Sequence, residues 1–256
     1  MPLLYATGAL PEPIDEKDYA YHLAGEAPRV RAAGWPVKVD NRDQYTAVVN
    51  QHQVPACVGC AGAGFYGMAG WPIGHNLKEY SIWAAYRWAQ AHDGIKRKLK
   101  GERGGTTLHG LGAAMKKWGM LSEELWAWDP DNEGRPAPWA RAAARCSRID
   151  RYEFPEGNDQ LRHAIHRYHG VLAVLRVHPG WNEPDHRNDF LIEAVEPEDE
   201  NDLHCIVIAG WNDNEAYWIV RNSWGDEWAN RGYAKLPYVD ADQNLIRAML
   251  PILKGA

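Results

Sequence analysis

Phenylalanine is scarce, with 3 residues among 256, while tryptophan reaches 13 and tyrosine 12; the bias carries no functional reading. Cysteine is scarce too. Four in a chain this long do not make a disulfide framework, so a reducing cytoplasm is the expected location. No apolar run approaches the roughly 20 residues of a membrane span. Met1 to Leu10 is only briefly apolar, lacks a basic start and meets Pro11-Glu12-Pro13 at once, so it does not read as a targeting segment. Excess positive charge is missing: the net charge is −6, which makes a phosphate backbone a poor partner. The basic run Lys96-Arg97-Lys98 with Lys100 and Arg103 reads as a solvated loop, and neither nucleic acid nor membrane is expected as a partner. Internal repeats and low-complexity stretches are also absent. What remains is an ordinary soluble composition, 45% hydrophobic and 24% charged, long enough for one large domain or two lobes.

The stretch that stands out is Asn50-Gln51-His52-Gln53-Val54-Pro55-Ala56-Cys57-Val58-Gly59-Cys60. A glutamine precedes a cysteine by six residues, and the cysteine opens a run of small residues that reads as a helix. A thiol at a helix N-terminus meets unsatisfied N–H groups and the positive end of the helix dipole, both of which favour its thiolate. An amide held just upstream can join the cysteine's own N–H in stabilising an oxyanion. Such a thiol still needs a base and a group to orient that base.

Residues 1–45, with scattered acids and prolines, read as an extended arm crossing the surface, with a short strand expected near Tyr45–Val49. The helix after Cys57 carries Gly59, Gly62, Gly64 and Gly67. Each glycine costs about 0.8–1 kcal/mol relative to alanine, so this helix should exist only if buried. Ser81 can cap a second helix, Thr106 or Thr107 a third that stops at Gly119, and Asn158 a fourth that stops at Gly170. Strands are expected at 171–177, 203–209, 217–222 and 233–236. Helices first and strands second predict an α+β protein. The division expected is an arm over 1–45, a helical lobe over 46–130 and a β-rich lobe over 131–256, with the turn-rich Asp129–Pro138 as the seam.

Within the β-rich part, His204 and Asn222 lie on strands joined by the turn Asn212-Asp213-Asn214. A turn centred on Asp213 puts the two residues opposite each other, within hydrogen-bond reach. An asparagine carbonyl there can fix the histidine tautomer and aim the other ring nitrogen at a thiol.

Taken together, these residues resemble the papain-like cysteine peptidases, and the compact bacterial members more than the secreted ones. Gln51, Cys57, His204 and Asn222 match the family's oxyanion glutamine, nucleophile, base and orienting asparagine, in family order. Asn222-Ser223-Trp224-Gly225, followed by Trp228 and Gly232-Tyr233, is the most specific match. The resemblance implies a helical lobe and an antiparallel β lobe with the active site in the cleft between them. It also implies that Trp224 shields the His–Asn pair and that Gly104-Gly105 offers backbone to an extended substrate. Pro13-Ile14-Asp15-Glu16-Lys17-Asp18-Tyr19 is similar to an N-terminal arm of bacterial relatives. The expected activity is hydrolysis of peptide bonds in a peptide or protein substrate through a thioester acyl-enzyme, with no metal or organic cofactor. The rivals are a catalytically silent binding protein with this fold, and a transpeptidase or amidase using the same acyl-enzyme.

The sequence departs from the secreted relatives in having Val58 after the nucleophile and Val54 three residues before it. Their long inhibitory propeptide has no room here, which leaves the first 45 residues to cover part of the cleft. An alternative register makes Cys60 the nucleophile, but the residue six positions upstream would then be Val54, which cannot donate. A Cys57/Cys60 redox pair lacks the preceding strand expected of thioredoxin-like folds. Cys57, Cys60, His204 and Cys205 make poor zinc ligands, since adjacent strand residues point to opposite faces. Cys205 reads as core, and Cys146 carries no signal. His163, His166 and His169 read as a solvated helix face, and Asp129-Pro130-Asp131-Asn132-Glu133-Gly134 as a turn rather than a calcium loop.

Overall fold

The computed structural model describes residues 3–12, 21, 34–69, 79–95 and 104–253. Residues 13–19 and the basic run at 96–103, singled out above, lie outside them.

Three helices surround the glutamine–cysteine stretch. Helix α1 (Cys57–Ala69) is almost wholly buried despite its glycines, because the glycines are what lets its neighbours approach. A Cβ on Gly59 would sit 2.9 Å from Tyr86 Cβ on α2 (Ile82–His92). One on Gly62 would sit 2.7 Å from Leu111 Cδ2 on α3 (Leu108–Lys117). Ser81 caps α2 by accepting from Ala84 N at 3.1 Å, and Thr107 caps α3 by accepting from Gly110 N at 2.8 Å. Gly119, with φ 91°, ends the third helix in the left-handed region. A short helix α4 (Ala140–Ala143) follows the connector.

A seven-stranded antiparallel sheet forms the other side. Its strands are β1 (Lys38–Asp40), β2 (Ile149–Glu153), β3 (Val171–Arg176), β4 (Leu203–Asn212), β5 (Tyr217–Arg221), β6 (Tyr233–Pro237) and β7 (Leu245–Leu253). Spatial order is β2-β7-β3-β4-β5-β6, with β1 beside the far end of β4. Two further helices, α5 (Gly157–Tyr168) and α6 (Tyr238–Asn244), precede β3 and β7. Every residue of β4 and β5 is buried, because α1 packs on β4. The fold is α+β.

Several expectations need correction. Residues 45–49 form no strand; the nearest one is β1, and Tyr45 instead donates its hydroxyl to His169 O at 3.0 Å. Helix α5 starts one residue before Asn158, without a side-chain cap, and ends at His169, whose φ of 64° makes it the left-handed terminator ahead of Gly170. His163 is not on a solvated face: it is buried and hydrogen-bonded to the Tyr21 hydroxyl. Asp129 does close a turn, accepting from Asp131 N and Asn132 N, and Glu133 pairs bidentately with Arg87. Among the described residues no group of three His, Cys, Asp or Glu side chains could hold a metal, and no helix is long and apolar enough to cross a membrane.

Candidate active site

Cys57 is the first residue of α1, and its side chain is fully buried. His204 and Asn222 are buried as well, with Nε2 of the imidazole 2.7 Å from Asn222 Oδ1. That oxygen also accepts from Ser223 N at 2.7 Å, so two donors fix the amide's orientation. An acceptor at Nε2 means that Nε2 carries the hydrogen and Nδ1 keeps its lone pair. Nδ1 has no hydrogen-bond partner. It is a base nitrogen held ready but unused.

The hairpin reaches this result by a different register from the one expected. The turn spans four residues, and a bulge at Ala209 shifts the ladder, so Val207 opposes Arg221 and Ile208 opposes Val220. Extending that register sets Asn222 across from Ile206. His204 and Asn222 therefore meet diagonally, a separation that long side chains span.

Gln51 is tied to the same strand end. Its N–H donates to Ser223 O at 2.8 Å, and its Oε1 accepts from Ser223 Oγ at 2.5 Å. With the carbonyl end so anchored, Nε2 is free to donate, and it does so to Val54 O and to Ala6 O, both at 3.0 Å. Trp224 lies over the imidazole, ring centroids 4.7 Å apart, and donates Nε1 to the same Ala6 oxygen at 3.1 Å.

The first residues do not cross the surface; they thread the cleft. Leu4 N donates to Asn182 Oδ1 at 2.9 Å, and Tyr5 stacks on Trp224 at 4.6 Å. Gly8 N and Ala9 N donate to Leu203 O, while Gly8 O and Leu10 N pair with the backbone of Thr106 at 3.1 and 3.0 Å. At Gly8 a Cβ would sit 2.3 Å from Pro55 O. Glu12 fastens the far end, accepting from His109 N and pairing with Arg247. The edge that pairs with this extended chain is thus Thr106. Gly104 and Gly105 flank it: Gly105 O accepts from Gln90 Nε2, and a Cβ on Gly105 would meet Gly8 O at 2.7 Å.

Burial dominates the electrostatics. It pushes the Cys57 thiol up to about 12, against a partial opposing effect from the N–H groups of Cys205, Val58, Cys57 and Ala9. It pulls the His204 imidazole down to about 4, the bond to Asn222 opposing. Both groups are neutral near pH 7 with the arm in place, and the thiol makes no hydrogen bond to Nδ1.

A model of the papain family cysteine proteases matches residues 91–249, more than half of the chain. The chain belongs to the papain family of cysteine proteases. That match covers His204 and Asn222 but begins beyond Gln51 and Cys57; Gln51 is hydrogen-bonded to Ser223, the neighbour of Asn222. Solved structures of similar fold include xylellain, a cysteine protease from Xylella fastidiosa (TM-score 0.81, 18% identity, 98% of this chain and 97% of that one). Another is the digestive procathepsin L 3 of Tenebrio molitor larval midgut (0.73, 16%, 96% and 76%). A third is procathepsin B S9 from Trypanosoma congolense (0.74, 14%, 96% and 86%). A comparison with curated protein sequences finds no match. The first 45 residues were expected to cover part of the cleft; what sequence reasoning missed in this protease is that residues 4–12 do so and that Thr106 is the edge they pair with. Neither carries a motif, because backbone pairing is blind to side-chain identity.

Proposed function

We propose that the protease cleaves peptide bonds with Cys57 as nucleophile, His204 as base, Asn222 as the base's orienter and Gln51 as oxyanion donor. The reading is carried by the buried His204–Asn222 pair, which leaves Nδ1 as an unprotonated, unpartnered base beside the strand on which α1 packs. Once the arm leaves and water enters, burial no longer holds both groups neutral. As substrate takes the arm's place, His204 takes the thiol proton, giving an ion pair that the N-terminus of α1 stabilises. The thiolate attacks the substrate carbonyl. Gln51 Nε2 and the Cys57 N–H stabilise the developing oxyanion, and protonated His204 delivers a proton to the leaving amine. Water then releases the acyl-enzyme.

Support for the oxyanion role comes from Ala6 O, a peptide carbonyl already seated on Gln51 Nε2. Trp224 shields the His204–Asn222 bond from water, and Gly105 leaves room for an extended chain beside Thr106, whereas a Cβ on Gly104 would meet the Tyr86 hydroxyl. Turnover of a fluorogenic peptide library tests the proposal. Cys57→Ala should abolish it, whereas Cys60→Ala should leave most of it; the reverse pattern would make Cys60 the nucleophile. No labelling of Cys57 by a thiol-directed epoxide would point to a silent binding protein, and labelling without any hydrolytic cleavage product would point to another acyl acceptor.

A further inference from the structure

Three buried free cysteines meet beneath the cleft: Cys57, Cys60 and Cys205. Only the first has work in the reaction proposed above. Cys60 follows it by three residues in the same helix, and at helical rise and radius their Cα atoms are about 5 Å apart. That separation falls inside the roughly 4.4–6.8 Å range that a disulfide bridges. Side chains three apart also share a face. The pair sits in the first turn, where Cys57 opens the helix and has no preceding turn to crowd it. Cys60 further borders a cavity of about 70 Å³, shared with Thr46, Tyr80, Glu123 and Arg221, that gives its side chain room to turn. The Arg221 guanidinium, itself buried, opposes the burial that raises the Cys60 thiol.

We infer that Cys60 is the resolving cysteine of a reversible Cys57–Cys60 disulfide, a modification site that protects the nucleophile from hydroperoxides. The inference rests on Cys57 being the nucleophile. In the first step the Cys57 thiolate attacks one peroxide oxygen: an S–O bond forms, the O–O bond breaks, and the departing oxygen takes a proton as alcohol or water. The Cys60 thiol then attacks the Cys57 sulfur. The S–S bond forms, the S–O bond breaks, and the Cys60 proton passes to the departing hydroxide, which leaves as water. Two thiols have supplied two electrons, and a dithiol reverses the change. Without Cys60, the sulfenic acid is open to further oxidation that a dithiol does not reverse.

The test treats the full chain with hydrogen peroxide, unfolds it, alkylates the remaining thiols and maps the peptides. The expected result is loss of activity together with a bond inside the one tryptic peptide that holds both cysteines, and return of activity with dithiothreitol. In Cys60→Ser the same loss should not be reversed. The inference is overturned if both thiols still alkylate after peroxide treatment, if Cys57 is found linked to Cys205, or if Cys60→Ser recovers as the unsubstituted chain does. The wild-type peptide map stands whether or not the variant folds. Failure of the underlying reading has a different signature, since Cys57→Ala would then keep its peptidase activity whatever the map shows.

Discussion

Ser223 shows how a residue outside the reacting set can govern it. Its hydroxyl and carbonyl hold the Gln51 side chain and backbone, and its N–H helps orient Asn222. Gln51→Ala removes the donor itself and should lower kcat by roughly 10²–10³. Ser223→Ala leaves the donor but frees it to rotate. Losing one net hydrogen bond is worth about 1 kcal/mol, so kcat should fall by roughly fivefold with KM little changed. Steady-state kinetics on one peptide substrate would check both, and a Ser223→Ala loss equal to that of Gln51→Ala would mean that the glutamine does not act through its amide.

In the reaction proposed, the seated arm is the element that stands between this site and substrate. Its tightest point is Gly8, where a side chain would run into the Pro55 backbone, which belongs to the segment that delivers Cys57. Gly8→Val should therefore unseat the arm without touching the catalytic set. Activity of the full chain should rise by at least about tenfold, the equivalent of ~1.4 kcal/mol of lost docking, and alkylation of Cys57 should quicken with it; unchanged rates would show that the seated arm does not limit access. The first 45 residues were expected to cover part of the cleft, but nothing in residues 4–12 singled them out, because their contacts are mostly backbone amides and carbonyls. The pairing of His204 with Asn222 across a hairpin was legible through residue types, since both residues and the motif after Asn222 are chemically distinctive. Its register was not, because neither the length of the turn over 213–216 nor the bulged residue at Ala209 has a composition of its own. Strands β2 and β7 escaped for another reason. Ile149–Glu153 is largely polar, and Leu245–Leu253 carries Pro251 and is buried without a break from Ala248 to Leu253, so neither alternates with period two. His163 looked solvated from its spacing alone, since its inward position depends on Tyr21, a partner 142 residues away.

For the whole molecule, closure of the cleft and protonation of its two central groups are one equilibrium. Burial holds His204 at about 4 instead of 6.5 in the docked form, so a form in which the imidazole regains solvent takes up a proton first as pH falls. Falling pH from 6.5 towards 4 therefore weakens docking, by on the order of 3 kcal/mol across the window if the open form regains the ordinary histidine value. At the other end the thiol is raised from 9.0 to about 12, so docking is fully supported below 9 and lost as pH climbs towards 12. Glu12 works against the acid effect, because burial raises its carboxyl and favours its proton in the docked state. Glu12→Gln removes that contribution and isolates the imidazole. In this variant the anisotropy of a fluorophore on the N-terminus should be highest between pH 6.5 and 9 and fall on either side. Adding His204→Asn should abolish the acid limb and spare the alkaline one. An acid limb that survives the loss of the imidazole would show that some other group couples proton uptake to opening.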